Sequence, residues 1–285
     1  MYTHLISAHQ LQALQASGAP LMVFDCSFDL ANPAQADAMF ASKHIAGSVQ
    51  AHLDRDLSAH SAADAVNGGR HPLPKRELFA QTLRRLGFEN TMQAVVYDRN
   101  GANYCGRLWW MLKWAGHDAV AVLDGGLAAW EAAGGALGSG PAPARPPSGF
   151  QLGPELRRWV ATAEVAARLE QPAQTLIDAR GAARYRGEVE PLDPIAGHIP
   201  GALNRPFTDN FGADGRFKPA SQLQAEFDHL LAGRDPATVV HHCGSGVSAV
   251  PNLIAMELAG HAPAPLYAGS YSEWSRTPGL PTAQG

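Results

Sequence analysis

Cysteine is scarce in this sequence. The chain of 285 residues contains three cysteines, Cys26, Cys105 and Cys243, and no two of them form a CxxC pair. Their spacing also excludes the multi-bridge framework of a small secreted protein. Because free thiols of this kind persist in a reducing compartment, we expect a cytoplasmic location.

An excess of charge and long apolar runs are absent as well. The net charge is −4, with 22 Lys and Arg against 26 Asp and Glu. This balance provides no broad attraction for a phosphate backbone or an anionic membrane, so we expect no nucleic-acid partner. No apolar run approaches the roughly 18 residues of a spanning helix, and residues 1–7 lack the basic and apolar segments of a signal peptide. We therefore expect no membrane partner.

The sequence does contain an internal repeat. Four elements of the first half recur in the second half in the same order and with similar spacing. The pairs are residues 21–25 and 175–178, 44–47 and 198–201, 94–97 and 238–241, and 123–130 and 267–274. Such self-similarity predicts a tandem duplication.

Glycine and proline concentrate between the two halves. Residues 138–149 contain so many of them that neither a helix nor a central strand can form there. We predict an N-terminal domain of residues 1–137, a linker of 138–158 and a C-terminal domain of 159–285. Short β-branched runs alternate with helical stretches in both halves, which is typical of strands joined by crossover helices. The predicted fold class is α/β, with two tandem domains that are each a parallel sheet flanked by helices.

The segment 239–249 predicts a strand, a glycine-bearing loop and the start of a helix. Gly244 and Gly246 let the backbone curl, so that successive N–H groups point at one centre. The positive end of the helix faces the same centre. Cys243 stands at the mouth of this cradle, where the dipoles stabilise a thiolate or a persulfide without a basic side chain. These features predict Cys243 as a nucleophile.

Other interpretations of Cys243 compete with this one. A free cysteine at a strand end is commonly a small packing residue. Considered alone, Cys243 fits the packing role and the nucleophilic role equally. The repeat favours the nucleophile, because the same strand and turn occur in the first half with Arg99 at the position we match to Cys243. A phosphatase loop would need an arginine at position 249 to hold phosphoryl oxygens, and this residue is alanine.

Several chemically suggestive residues favour packing roles. His241 and His242 are adjacent on a predicted strand, so they point to opposite faces and do not ligate one metal ion; we expect one to be packed and the other to lie near the cleft. Cys26 and Cys105 have no glycine cradle beside them. We predict neither a metal nor a cofactor.

Four motifs together resemble the tandem rhodaneses and 3-mercaptopyruvate sulfurtransferases, over nearly the whole chain. They are Asp178-Ala-Arg180 with Arg184-Tyr-Arg-Gly187, Gly197-His-Ile-Pro-Gly-Ala202, Cys243-Gly-Ser-Gly-Val-Ser-Ala249, and Leu123-Asp-Gly-Gly-Leu-Ala-Ala-Trp130. The resemblance implies a sulfurtransferase with an N-terminal domain that lacks a nucleophile. It would move sulfane sulfur from 3-mercaptopyruvate or thiosulfate, through a persulfide on Cys243, to an acceptor such as cyanide, a thiol or thioredoxin.

The resemblance also implies roles for individual residues. Cys243 falls on the family's catalytic cysteine, and the neutral residues after it are similar to the mercaptopyruvate branch. Ser245 matches a serine that works there with a histidine and an aspartate, and His71 and Asp56 occupy the matching positions. Arg184 matches an arginine that binds the anionic group of the donor. The substrate-binding loop would comprise Gly244, Gly246, Val247 and Ser248.

One departure bears on the donor. The mercaptopyruvate branch usually has a second arginine nine residues after the first, where this chain has Asp193. We predict a preference for 3-mercaptopyruvate with measurable thiosulfate activity. The alternatives are a thiosulfate-specific rhodanese and a non-catalytic binding protein of the same fold. The retention of Cys243 and Arg184 argues against the non-catalytic protein.

Overall fold

The computed structural model describes all 285 residues, which divide into two units. Unit 1 comprises Met1–Asp64, Pro74–Leu156 and Ala213–Arg216. Unit 2 comprises Ala65–Leu73, Arg157–Gly212 and Phe217–Gly285. Two short segments thus differ from the predicted sequence ranges: 65–73 groups with unit 2, and 213–216 groups with unit 1.

Unit 1 alternates strands and helices. In chain order its elements are β1 (Leu5–Ile6), α1 (Ala8–Ala16), β2 (Leu21–Asp25), α2 (Gln35–Ser42), β3 (His44–Ile45), β4 (Val49–Gln50), α3 (Leu53–Asp56), α4 (Arg76–Arg85), β5 (Gln93–Tyr97), α5 (Cys105–Trp114), β6 (Val120–Leu123), α6 (Gly126–Ala132) and β7 (Leu137–Gly138). Five strands form a parallel sheet in the order β1-β6-β5-β2-β4, and β3 pairs antiparallel with β7.

Unit 2 repeats this arrangement. Its elements are β8 (Trp159–Val160), α7 (Thr162–Ala167), β9 (Thr175–Asp178), α8 (Ala182–Tyr185), β10 (Leu203–Asn204), a 3₁₀ helix (Phe207–Asn210), α9 (Ala220–Leu231), a second 3₁₀ helix (Pro236–Thr238), β11 (Val239–His242), α10 (Val250–Leu258), β12 (Leu266–Tyr267) and α11 (Ser270–Trp274). Its parallel sheet has the order β10-β9-β11-β12-β8, which is the order of the first sheet read from the other edge.

The burial pattern explains why these segments form these elements. β5 and β11 are central strands, and each is buried along its whole length, as expected for a parallel sheet covered on both faces. Helix α9 is amphipathic: Leu223, Phe227 and Leu231 recur every four residues and are buried. The predicted α/β class, with two parallel sheets flanked by helices, is confirmed.

The segment predicted as a linker does not form a free tether. The N–H of Gly153 donates to the carbonyl of Ala115 at 2.9 Å, and Nε of Arg84 donates to the carbonyl of Phe150 at 2.8 Å. Proline and glycine prevent regular structure in this segment but not packing, so it lies against unit 1 as irregular chain. None of the helices is long and apolar enough to cross a bilayer.

Candidate active site

The loop that follows β11 is held by hydrogen bonds to α11. The N–H of Cys243 donates to Oγ of Ser270 at 3.1 Å, and the carbonyl of Cys243 accepts from the N–H of Tyr271 at 3.0 Å. The carbonyl of Gly244 accepts from the N–H of Ser272 at 2.8 Å. The cysteine therefore lies at the carboxyl end of a central strand, which is where parallel α/β sheets place their reactive groups.

The loop turns sharply beside the sulfur. The N–H of Ser245 donates to Sγ of Cys243 at 3.4 Å, so one backbone dipole points at the thiol. Gly246 has a φ of +73°, and a Cβ at this position would lie 2.3 Å from the carbonyl oxygen of Ala268. Only glycine fits such an approach. Cys243 itself is 1% exposed, so its side chain is tightly enclosed.

The remaining loop residues lead into α10. Val247 is buried and Ser248 is half-buried. The carbonyl of Val247 accepts from the N–H of Val250 at 3.1 Å, which starts the first helical turn. Pro251 lies within that turn, where a missing N–H costs no hydrogen bond.

Ser245 also contacts a histidine. Its hydroxyl lies 2.8 Å from Nδ1 of His71, and both residues are buried. His71 belongs to the segment Ala65–Leu73 of unit 2, which a 3.0 Å hydrogen bond from the N–H of Val66 to the carbonyl of Leu73 closes into a loop. Two of the three predicted relay residues are thus in direct contact within one unit.

The third, Asp56, ends α3 in unit 1. Its carboxylate accepts from the N–H of His52 at 2.8 Å and from Nη2 of Arg85 at 2.5 Å. It borders a cavity of about 330 Å³ whose walls include Arg55, Arg85 and Thr82. These contacts fix the position of the carboxylate, and a role for Asp56 in the relay stays a prediction.

Arg184 lies beside the loop that follows β11. Its Nη2 is 2.7 Å from Oε1 of Glu190 and 3.2 Å from Oδ2 of Asp193. A Cβ on Gly244 would lie 3.5 Å from its Nη1, so the other edge of the guanidinium group faces the loop. A solvated surface charge would not have these buried partners, and the position suits a residue that binds the donor.

Sequence reasoning missed Arg70. Its Nη2 would lie 3.1 Å from a Cβ on Gly244, and its Nη1 is 2.9 Å from Oδ1 of Asp193. The signal in the sequence was its position directly before His71. Asp193, which stands where the mercaptopyruvate branch usually has an arginine, is the residue that holds Arg70.

The strand register corrects the match between the two halves. Asp25 pairs with Tyr97 in unit 1, and Asp178 pairs with His242 in unit 2. The residue that corresponds to Cys243 is therefore Asp98, and the match with Arg99 was wrong by one position. Nη1 of Arg99 instead donates to the carbonyl of Met39 at 3.2 Å.

Asp98 fills the turn of unit 1 with its own anion. Its carboxylate accepts hydrogen bonds from the N–H groups of Asn100, Ala102, Tyr104 and Cys105 at 2.8, 3.1, 2.8 and 2.9 Å. Burial raises the pKa of Asp98, and these hydrogen bonds oppose the rise. The turn that in unit 2 presents a sulfur is thus occupied by a carboxylate in unit 1.

The other two cysteines are poor nucleophiles. Burial raises the pKa of Cys26 well above its usual value, and the charge of Asp25 raises it further. Cys105 is affected in the same way by burial and by Asp98. Both thiols therefore stay protonated near neutral pH.

The two histidines before Cys243 are both fully buried. Nε2 of His241 lies 3.3 Å from the sulfur of Met256, and burial together with the nearby His242 lowers the pKa of His241 to about 3. No group of three or more His, Cys, Asp or Glu side chains converges in a way that would hold a metal ion.

Comparison with known proteins gives matches over the whole chain. The profile of the Rhodanese-like domain matches residues 7–133 and 161–277. A probable 3-mercaptopyruvate sulfurtransferase of Pseudomonas aeruginosa is 46% identical over 282 residues, covering 99% of this chain and 98% of the relative. A putative thiosulfate sulfurtransferase of Mycobacterium tuberculosis is 37% identical over 294 residues, covering 99% and 97%. The crystal structure of a 3-mercaptopyruvate sulfurtransferase from Escherichia coli superimposes with a TM-score of 0.77 at 30% identity, covering 95% of this chain and 100% of that one.

Proposed function

Because the chain belongs to the tandem rhodanese-domain sulfurtransferases, we propose that Cys243 carries the transferred sulfur as a persulfide, with 3-mercaptopyruvate as the preferred donor. The family and enzyme type predicted from the sequence are confirmed. One observation carries the proposal for the site. Ser245 directs its N–H at the sulfur of Cys243 and lies with its hydroxyl 2.8 Å from Nδ1 of His71.

The first half-reaction forms the persulfide. The thiolate of Cys243 bonds to the sulfur of 3-mercaptopyruvate, the carbon–sulfur bond breaks, and its electron pair leaves on the enolate of pyruvate. The enolate then takes a proton at carbon. Ser245 and His71 are placed to deliver that proton, with Asp56 proposed to support the charged form of His71.

The second half-reaction returns the enzyme to its starting state. An acceptor thiolate or cyanide bonds to the outer sulfur, the sulfur–sulfur bond breaks, and the electron pair returns to Cys243. We assign thiols, with thioredoxin as a protein example, as the acceptors in a reducing cytoplasm. The three cysteines of the chain are free, as expected in such a reducing environment.

Intact mass spectrometry tests the persulfide. The protein is incubated with 3-mercaptopyruvate, and a gain of one sulfur atom is expected that cyanide removes. The Cys243→Ser protein should show no gain, whereas Cys105→Ser, a change at another buried cysteine, should retain it. A gain that persists in Cys243→Ser would contradict the proposal.

Thiosulfate is the second candidate for the preferred donor. The Mycobacterium tuberculosis relative is named for thiosulfate, and Asp193 removes an arginine that the mercaptopyruvate branch usually has. The ratio of kcat/KM for the two donors decides between them. A value for thiosulfate well above that for 3-mercaptopyruvate would overturn our assignment.

A further inference from the structure

A buried carboxylate organises three arginines beside the catalytic loop. The side chain of Asp193 is fully buried. Its oxygens lie 2.9 Å from Nη1 of Arg70, 2.9 Å from Nη1 of Arg276 and 3.2 Å from Nη2 of Arg184. Since an unpaired buried carboxylate is strongly unfavourable, these contacts fix the positions of the guanidinium groups.

The backbone of Arg70 is fixed independently of its charge. Its N–H donates to Oγ of Ser272 at 3.0 Å. The preceding Gly69 has a φ of +91°, and a Cβ there would lie 2.7 Å from the same Oγ and 2.8 Å from the carbonyl of Gly269. Only glycine permits this close approach to α11. The long side chain of Arg70 thus starts from a defined point next to the loop.

Both Arg70 and Arg184 present a free edge to the loop. Their outer nitrogens would lie 3.1 and 3.5 Å from a Cβ on Gly244, the residue after Cys243. The opposite edge of Arg184 is engaged by Glu190 and Asp193, and Nη1 of Arg70 is engaged by Asp193. Nε of Arg70 is buried without a hydrogen-bond partner.

We propose that Arg70 is a specificity-determining residue that, with Arg184, binds the anionic group of the sulfur donor. In 3-mercaptopyruvate the methylene and keto carbons separate the sulfur from the carboxylate. A donor whose sulfur lies at Cys243 can therefore place its carboxylate at the guanidinium groups of Arg70 and Arg184 beside Gly244. The chain thus replaces the family's second arginine at 193 with an aspartate that recruits Arg70 from another segment. This inference rests on the proposed function, because it names the group that recognises the donor.

Steady-state kinetics test the role of Arg70. Arg70→Met should raise KM for 3-mercaptopyruvate about 10- to 100-fold, as expected for the loss of a charge-assisted hydrogen bond, with a smaller change in kcat. Arg276→Met removes another contact to Asp193 but leaves Arg70 in place, so its KM should change less than about threefold. The exposed Arg186→Met is the control for a lost charge. An equal rise in KM for Arg276→Met and Arg70→Met, or no rise for Arg70→Met, would overturn the proposal.

Alkylation of Cys243 tests the anion site without sulfur transfer. The rate with the anionic iodoacetate is divided by the rate with the neutral iodoacetamide, and labelling of Cys243 is followed by peptide mass. Arg70→Met should lower this ratio about tenfold, while Arg186→Met leaves it unchanged. An unchanged ratio in Arg70→Met contradicts the anion site. If the ratio falls but the wild-type protein forms no persulfide, the anion site stands and the proposed sulfur transfer fails.

Discussion

The hydroxyl of Ser245 lies 2.8 Å from Nδ1 of His71. The same serine donates its N–H to the sulfur of Cys243, so one residue links the nucleophile to a group that can carry a proton. The two functions of Ser245 are chemically separable. The backbone N–H survives substitution by alanine, whereas the hydroxyl does not.

This separation predicts different effects on the two donors. In Ser245→Ala and His71→Ala, kcat for 3-mercaptopyruvate should fall about 100-fold, because a positioned general acid contributes that much and the pyruvate enolate needs a proton. Thiosulfate releases sulfite, which leaves without a proton, so its kcat should fall less than about threefold. Rates with both donors at one pH provide the measurement. Equal losses for both donors would show that Ser245 and His71 support the structure of the loop rather than deliver a proton.

The fit of Gly246 against Ala268 predicts a requirement for glycine. Gly246→Ala should lower the free energy of unfolding by about 1–3 kcal/mol and abolish persulfide formation, because a Cβ would lie 2.3 Å from a carbonyl oxygen. Gly233→Ala is the matched control, since Gly233 also has a positive φ, +82°, but nothing lies within 4 Å of the added Cβ. Urea unfolding and the mass assay measure both effects. Equal destabilisation by the two changes would mean that the positive φ, and not the contact with Ala268, causes the loss.

The hydrogen bonds of Asp98 predict that its replacement lowers the free energy of unfolding. Asp98→Ala removes the acceptor of four backbone N–H groups, three of which are buried, so the free energy of unfolding should fall by about 3 kcal/mol or more. Asp214→Ala, at an exposed carboxylate, should change it by less than about 0.5 kcal/mol. Chemical denaturation compares the two variants. A loss below about 1 kcal/mol in Asp98→Ala would contradict the view that the carboxylate stabilises this turn.

Local patterns and contacts explain what the sequence could and could not predict. The duplication, the parallel sheets and the loop around Cys243 follow from apolar runs and glycines that are close together in the chain, and these were predicted. The match of Asp98 to Cys243 required the register of β5 against β2, which a short repeat leaves uncertain by one residue. Arg70 was missed because its contacts with Asp193 and Gly244 cross more than a hundred residues of chain.

The buried His241 predicts a loss of stability in mild acid. Burial and the neighbouring His242 lower the pKa of His241 to about 3. The unfolded chain takes up this proton near pH 6.5, whereas the folded chain does so near pH 3, so stability is fully present above pH 6.5 and is lost as the pH falls toward 3. The slope is about 1.4 kcal/mol per pH unit for one histidine. Burial also lowers the pKa of His242, opposed by the charge of Asp178, so this residue adds to the loss.

A substitution isolates the contribution of His241. Urea unfolding of the wild-type protein and of His241→Leu is compared at pH 7 and pH 5, and the decrease between the two pH values should be about 2 kcal/mol smaller in the variant. Leucine keeps the apolar contact with Met256 but binds no proton. His9→Leu, at an exposed position on α1, should lose as much stability as the wild type. If His241→Leu shows the same decrease as the wild type, then His241 takes up its proton in the folded state as readily as in the unfolded chain, and its burial does not hold it neutral.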